Sequence, residues 1–200
     1  MRKKVIAIVG SYRRGHIIDT AVANLLETAK MKGAQTTKIY LLDKYIEFCK
    51  NCRCCTQQAG NLRGECVQND DMRQILDEID SVDAIVLAAP INFFNVTAIM
   101  KRFIERLVCY TYWPWGKAIP EKRIKKLTKK AVIITSSGCP EWLGRIVFGG
   151  ALNVLRVAAK CVGAKVIKKI YIGAIAVHKT PSLPEKYAKQ VKTAARLLVS

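Results

Sequence analysis

Five of the chain's eight cysteines fall in one stretch, CKNCRCCTQQAGNLRGEC, residues 49 to 66. Cys49, Cys52 and Cys55 are spaced C-x2-C-x2-C, Cys66 follows after a longer gap, and Cys54 breaks the rhythm. Two-residue gaps let a loop curl round one centre and aim three thiolates at it, and a remote fourth cysteine completes a ligand set of the kind iron–sulfur clusters use. Four thiolates with short spacings also suit zinc. A redox pair or disulfide is a third reading, one that hyperthermophile proteins allow even inside cells. Small thiols packed into a loop core without metal are a fourth. The residues alone leave all four open. The cluster reading takes Cys49, Cys52, Cys55 and Cys66 as ligands, with NLRG as a flexible excursion before the last. Cys109, Cys139 and Cys161 are isolated and read as buried or incidental.

The elements that must position these residues alternate. KKVIAIVG, TTKIYLL, SVDAIVLAAP, KAVIITSSG and KVIKKIYIGAI read as short apolar strands, as buried parallel strands do. Between and after them, residues 17 to 32, DMRQILDEID, 97 to 108, 142 to 162 and 184 to 198 carry helical spacing. Asp70 or Asp71 stands where it would cap the first turn of the second helix. Five strands alternating with five helices predict an α/β fold, a doubly wound parallel sheet with helices on both faces. The strand order expected is 2-1-3-4-5, with the third strand ending at Pro90. The expected organisation is one domain over residues 1–200, with a cysteine-rich loop at 47–68 and a basic, aromatic connection at 109–129. In such a sheet, ligands bind beyond the carboxyl ends of strands 1 and 3, where the winding reverses.

That rule points to three loops. GSYRRGHI joins strand 1 to a helix start, whose free N–H groups and positive dipole end favour phosphate; Ser11 adds a hydroxyl, and Arg13 and Arg14 add charge. It is neither GxGxxG nor GxxxxGK[ST]. PINFFNVTA closes strand 3 with apolar side chains suited to the edge of a crevice that takes a flat ligand. SSGCPE after strand 4 has small residues that allow close backbone approach, or it is a simple turn; Cys139 within it reads as incidental, with a place facing that ligand as the alternative. His16 lies in the first loop, either on phosphate or in solvent; His178 lies past strand 5 and reads as a surface residue.

GSYRRG, PINFFNVTAIMKRFIER and SSG together resemble the flavodoxin-like NAD(P)H-dependent FMN reductases, over residues 4 to about 175. The resemblance implies bound FMN. Its phosphate would sit on Ser11, Arg13 and the turn through Arg14, Gly15, His16, Ile17 and Ile18. Its isoalloxazine would lie against Pro90, Ile91, Asn92, Phe93, Phe94 and Asn95, and against Ser136, Ser137 and Gly138. Where that family often has Asn-Thr or Asn-Ser, this chain has Ile17-Ile18, so backbone N–H groups, Ser11 and Arg13, with His16 or Arg14, must supply the phosphate contacts. The cysteine section resembles the iron–sulfur flavoproteins of the same fold, which close their motif after a shorter final gap and follow it with an acidic pair like Asp70-Asp71. The resemblance therefore implies an FMN-dependent oxidoreductase that moves electrons between NAD(P)H, or a carrier protein, and an acceptor, with a 4Fe–4S cluster passing single electrons. No catalytic side chain is required. Two alternatives stand beside it. One is a quinone or small-acceptor reductase without a cluster. The other is a non-catalytic basic module that has lost its flavin, which Ile17-Ile18 motivates.

Charge bears on partners. Residues 1 to 100 hold 13 basic and 11 acidic residues, net +2, and residues 101 to 200 hold 21 and 4, net +17. Such a field attracts anions, here the phosphates of a nicotinamide dinucleotide or an acidic electron carrier such as a ferredoxin. Nucleic acid is disfavoured, because no reading module with interleaved aromatics is present. The family resemblance implies a dimer or tetramer. YTYWPWG, residues 110 to 116, reads either as a subunit contact or as a cover over the flavin or nicotinamide. The longest apolar stretch, residues 146 to 164, is interrupted by Asn153, Arg156 and Lys160, short of the roughly 20 apolar residues of a membrane span. With no signal-peptide layout at the start, the expected location is the cytoplasm.

Overall fold

A computed structural model describes residues 2–60, 62–177 and 182–200; His178 lies outside the described residues. In chain order the elements are β1 (Lys4–Val9), α1 (Ile17–Met31), β2 (Gln35–Tyr40), α2 (Met72–Asp80), β3 (Ala84–Asn92), β4 (Asn95–Val96), α3 (Ala98–Arg106), β5 (Thr111–Tyr112), β6 (Glu121–Lys122), β7 (Lys129–Ser136), α4 (Glu141–Val147), α5 (Gly149–Cys161), β8 (Ala164–Ile172) and α6 (Glu185–Val199). The main sheet runs β2-β1-β3-β7-β8 with every neighbour in that path parallel. This is the expected doubly wound order.

The sheet carries an apolar layer on each face because successive strand residues point opposite ways. Ile6 and Ile8 of β1 face a cluster with Ile75, Met100, Phe103 and Leu155 of α2, α3 and α5. Val5, Ala7 and Val9 face another with Val22, Leu25, Val191 and Leu198 of α1 and α6. A strand buried on both faces has no polar side to alternate with, which is why these strands read as continuous apolar runs.

Three elements differ from the sequence expectation. The helix expected over 142–162 is two helices, α4 and α5, bent by 70°. Gly144 lies so close to β8 that a Cβ there would stand 2.0 Å from the Tyr171 hydroxyl oxygen, so α4 is held against the sheet. Gly149 and Gly150 open α5, and glycine is a poor helix former that eases such a break. β3 does not stop at Pro90 but runs to Asn92 and pairs antiparallel with β4. The helix expected to 108 ends at Arg106 and tightens into a 3₁₀ turn through Tyr110. The 109–129 connection contains a small antiparallel pair, β5 with β6. Among the described residues, no single helix is long and apolar enough to cross a membrane.

Candidate functional site

The three loops meet where the winding reverses. Ser11, Arg13, His16, Ile17 and Ile18 from the first, Pro90, Ile91 and Asn92 from the second, and Ser136, Ser137 and Gly138 from the third line one open cleft of about 560 Å³. Tyr12, Ile175 and Ala176 complete its wall. The convergence follows from topology: β1, β3 and β7 are adjacent and parallel, so their carboxyl ends deliver three loops to one edge. The base is tied by Thr97, which caps α3 by accepting from the Met100 N–H at 3.3 Å while its hydroxyl donates to the Gly10 carbonyl at 2.6 Å.

The first loop is shaped by internal bonds. The Ser11 hydroxyl accepts from the Arg13 N–H at 3.2 Å. Asp19, in the first turn of α1, accepts from the Gly15 N–H at 2.6 Å, from Lys38 Nζ at 2.7 Å and from the Tyr40 hydroxyl at 2.6 Å. Burial opposes ionisation of Asp19, but these bonds outweigh it and hold the carboxyl below the ordinary range. The Gly15 N–H is therefore spent on Asp19. Arg14 also turns away: it pairs with Asp43 and stacks on the Tyr40 ring at 4.7 Å. Neither Arg14 nor Gly15 lines the cleft. Ile17 and Ile18 are each 3% exposed and pack with the α1 core, leaving their backbone N–H groups as the helix-start donors.

The second loop places its residues unequally. Phe93 and Phe94 form the tip of the β3–β4 hairpin at φ values of 42° and 66°, a left-handed conformation that bulky residues adopt only under strain and that clusters at functional sites. Phe93 is 97% exposed, Phe94 makes an edge contact with Phe148 at 5.4 Å, and Asn95 accepts from the Val96 N–H. None of the three lines the cleft. In the third loop, the Tyr171 hydroxyl donates to Ser137 Oγ at 2.6 Å, and Cys139 Sγ lies 3.2 Å from the same oxygen. Ser136 Oγ is buried and has no hydrogen-bond partner among the described residues. A buried hydroxyl left unpaired at a cleft wall is what a polar ligand atom would satisfy. With Ser11, Arg13 and the free helix-start N–H groups for a phosphate, and Pro90 to Asn92 for a flat ring, the residues present fit FMN.

A second cavity forms in the cysteine loop. Cys49, Cys52, Cys55 and Cys66 line it together with Lys50, Arg53, Arg106 and Trp113, while Cys54 is exposed and outside it. Asn51 and Arg53 take positive φ values of 51° and 59°, the left-handed kinks that wind a chain into the N–H-lined concavities found at iron–sulfur sites. Burial, then the neighbouring thiols of Cys66, Cys49 and Cys52, push the Cys55 thiol up to about 11. The enclosed space, about 30 Å³, is the size of a water. Among the described residues, no group of three or more His, Cys, Asp or Glu is gathered to hold a single ion. The four thiols that line it are the donor set a cluster takes. By contrast Cys109 and Cys161 are pushed by burial to about 12 and about 11 and stand apart from this cavity.

The loop is held by residues that periodicity does not single out. Asp70 accepts from the Glu47 and Met72 N–H groups at 2.8 and 3.1 Å, and forms a buried ion pair with Arg106. Asp71 accepts from the Tyr45 N–H at 2.8 Å. The buried Arg123 donates to the carbonyls of Cys55 at 3.1 Å and Thr111 at 3.0 Å. Gly64 donates to the Cys109 carbonyl at 2.8 Å and lies so close to Cys55 that a Cβ would stand 1.8 Å from its carbonyl oxygen. The aromatic connection covers this loop rather than the cleft: the Trp113 N–H donates to the Thr56 carbonyl at 2.8 Å, and Arg53 lies 4.2 Å from the ring centres of both Trp113 and Trp115.

A doubly wound sheet with a cleft at its reversal point defines a flavodoxin-like protein. The family model described as NADPH-dependent FMN reductase matches residues 3–176, and the chain belongs to that family of oxidoreductases. It is 33% identical to an iron-sulfur flavoprotein of Archaeoglobus fulgidus over 56% of this chain and 48% of that protein. The chain matches about half the length of its curated iron-sulfur flavoprotein relatives. In fold it is similar to an FMN-dependent NADH-azoreductase from Bacillus anthracis in complex with FMN, with a TM-score of 0.73 at 16% identity over 99% of this chain and 100% of that one. It is also similar to an NAD(P)H:quinone oxidoreductase from Methanothermobacter marburgensis, with a TM-score of 0.72 at 19% identity over 100% and 98%.

Proposed function

We propose that the chain is an FMN-dependent oxidoreductase that takes electrons from NAD(P)H or an acidic carrier and delivers them to an acceptor, with a 4Fe–4S cluster on Cys49, Cys52, Cys55 and Cys66. The single observation that carries the flavin reading is the cleft, where the three predicted loops meet beside an orphaned Ser136 hydroxyl. When bound, FMN supplies two-electron hydride acceptance and one-electron release, chemistry that no side chain here provides. The chain's own residues bind and orient. Arg13, Ser11 and the Ile17 and Ile18 N–H groups would hold the phosphate, and Ser136, Ser137 and Gly138, with Pro90 to Asn92, would line the ring. Tyr171 fixes the Ser137 hydroxyl in place. α3 ties the cleft base at Thr97 to the cysteine cavity at Arg106, and its nine residues span about 14 Å.

The test is anaerobic purification of the full chain followed by FMN titration, an absorbance spectrum, and iron and sulfide analysis. Flavin bands with iron and sulfide support the whole reading. A protein that binds no added FMN sinks it. The water-sized cysteine cavity favours a second reading, a quinone or small-acceptor reductase in which the thiols hold no cluster; flavin bands without iron select it. The charge asymmetry supports docking of an acidic carrier by the basic half, so electron transfer from such a carrier should slow as salt rises, and a rate indifferent to salt counts against docking. Homo-oligomerisation is supported by exposed apolar groups at Phe93, Phe94, Trp142 and Ile146, and sedimentation equilibrium tests it.

A further inference from the structure

The remote ligand is the weak point of the cysteine motif, because Cys66 must return across a long excursion to meet Cys49, Cys52 and Cys55. One buried cation receives it. Arg106, the last residue of α3, is 4% exposed. Its guanidinium is divided among three acceptors: one nitrogen bonds Asp70 and the Glu47 carbonyl, the latter at 2.8 Å, and the other bonds Asp70 Oδ1 at 3.2 Å and Cys66 Sγ at 3.4 Å. The two other cations lining the cavity differ. Lys50 is exposed, and Arg53 is held between tryptophan rings with its guanidinium donating to the Trp113 carbonyl at 2.6 Å. Arg106 alone among the three donates to a cysteine sulfur.

We propose that Arg106 is a positioning residue for Cys66 and sets the reduction potential of the centre the four thiols hold; this rests on the cluster reading above. Asp70 and the Glu47 carbonyl fix the guanidinium plane, so the remaining N–H has one place to point. That N–H would draw the Cys66 sulfur back into the cavity before any metal arrives. Once the centre is loaded, hydrogen bonds to its sulfurs and nearby charge are what tune its potential. A positive, bonded guanidinium favours the reduced state, which carries one more negative charge, and so raises the potential. The same helix is capped at its other end by Thr97, under the flavin cleft.

The test compares the full-length wild type with Arg106→Gln and Arg106→Lys, each reconstituted anaerobically with iron and sulfide and checked for cluster content by absorbance. Dye-mediated potentiometric titration is the readout. For Arg106→Gln the reduced-to-oxidised ratio at fixed poise should fall about tenfold, the size expected for one lost charge-assisted bond, equivalent to about 59 mV for a one-electron couple. Arg106→Lys keeps the charge without the fork, and its potential should fall by less. Loaded variants that titrate with the wild type overturn this inference and leave the cluster reading standing. If Arg106→Gln fails to fold, Arg106→Lys decides, and an unchanged potential overturns the inference. A wild type that takes up no cluster overturns both readings together.

Discussion

The cleft and the cysteine cavity are built by opposite means. The cleft is a by-product of topology: three adjacent parallel strands end at one edge, and the space between their loops is large and open. The cysteine cavity lies in a long loop beyond β2 with no strand to position it, and its buried charged contacts come from elsewhere in the chain. Asp70 reaches back from the start of α2, Arg106 across from the end of α3, and Arg123 from β6 and its following segment. A site framed by a sheet tolerates change in its loops. A site framed by a few buried polar contacts fails when one of them is lost.

Asp70→Asn should separate the two regions most sharply. It leaves the Arg106 guanidinium buried beside a neutral group, and removing one partner of a buried pair costs about 3–5 kcal/mol. Urea unfolding should show a loss of that order, with the cysteine loop becoming protease-sensitive first. The pair also sets an acid limit. Burial alone would raise the Asp70 carboxyl, but Arg106 and the Glu47 and Met72 N–H groups hold it below the ordinary range. Its contribution is therefore complete above about pH 4, the ordinary carboxylate value, and is lost as pH falls through the lower folded value. Acid titrations of wild type and Asp70→Asn should diverge above that region and converge below it.

Gly64→Ala drives a Cβ into the Cys55 carbonyl and should cost about 1–3 kcal/mol, as overpacking does. Iron uptake should fall while FMN affinity, read by fluorescence quenching, stays within about twofold of the wild type, less than the loss of one typical hydrogen bond would cost. Thr97→Ala strikes the opposite region. Loss of the α3 cap should cost about 1–2 kcal/mol and weaken FMN binding, with the cysteine thiols unchanged in reactivity. Ser136→Ala is the finest instrument. It removes a buried hydroxyl that has no partner among the described residues, so the free protein should gain up to about 1 kcal/mol in urea while FMN affinity falls. A loss of stability with unchanged affinity would show that the hydroxyl serves the fold and not the ligand.

The fold was legible because its signals are local. Apolar runs such as KVIAIV and helical spacing such as Ile18, Val22 and Leu25 state their element type directly, and right-handed crossovers leave few ways to join them. Where expectation and structure part, a long-range contact is responsible. The 142–162 helix breaks because Gly144 is pressed onto Tyr171. Arg14 looked like a phosphate ligand by position, yet Asp43 and the Tyr40 ring claim it. The cysteine spacing named the four residues that share a cavity, but nothing in Arg106 or Arg123 distinguishes them, as residues in sequence, from other basic side chains of this strongly cationic chain. The Asp70-Asp71 pair was the one available hint.

By itself the sequence determined the order of elements, the edge of the sheet where a ligand would lie, and which thiols are spaced to act together, because periodicity and short gaps are properties of neighbouring residues. Only the tertiary structure decided which donors remain free to meet a ligand. A hydrogen-bonding group is available only if no other part of the chain has already satisfied it, and for Gly15, Arg14, Ser136 and Cys66 that was settled by partners or their absence across the fold.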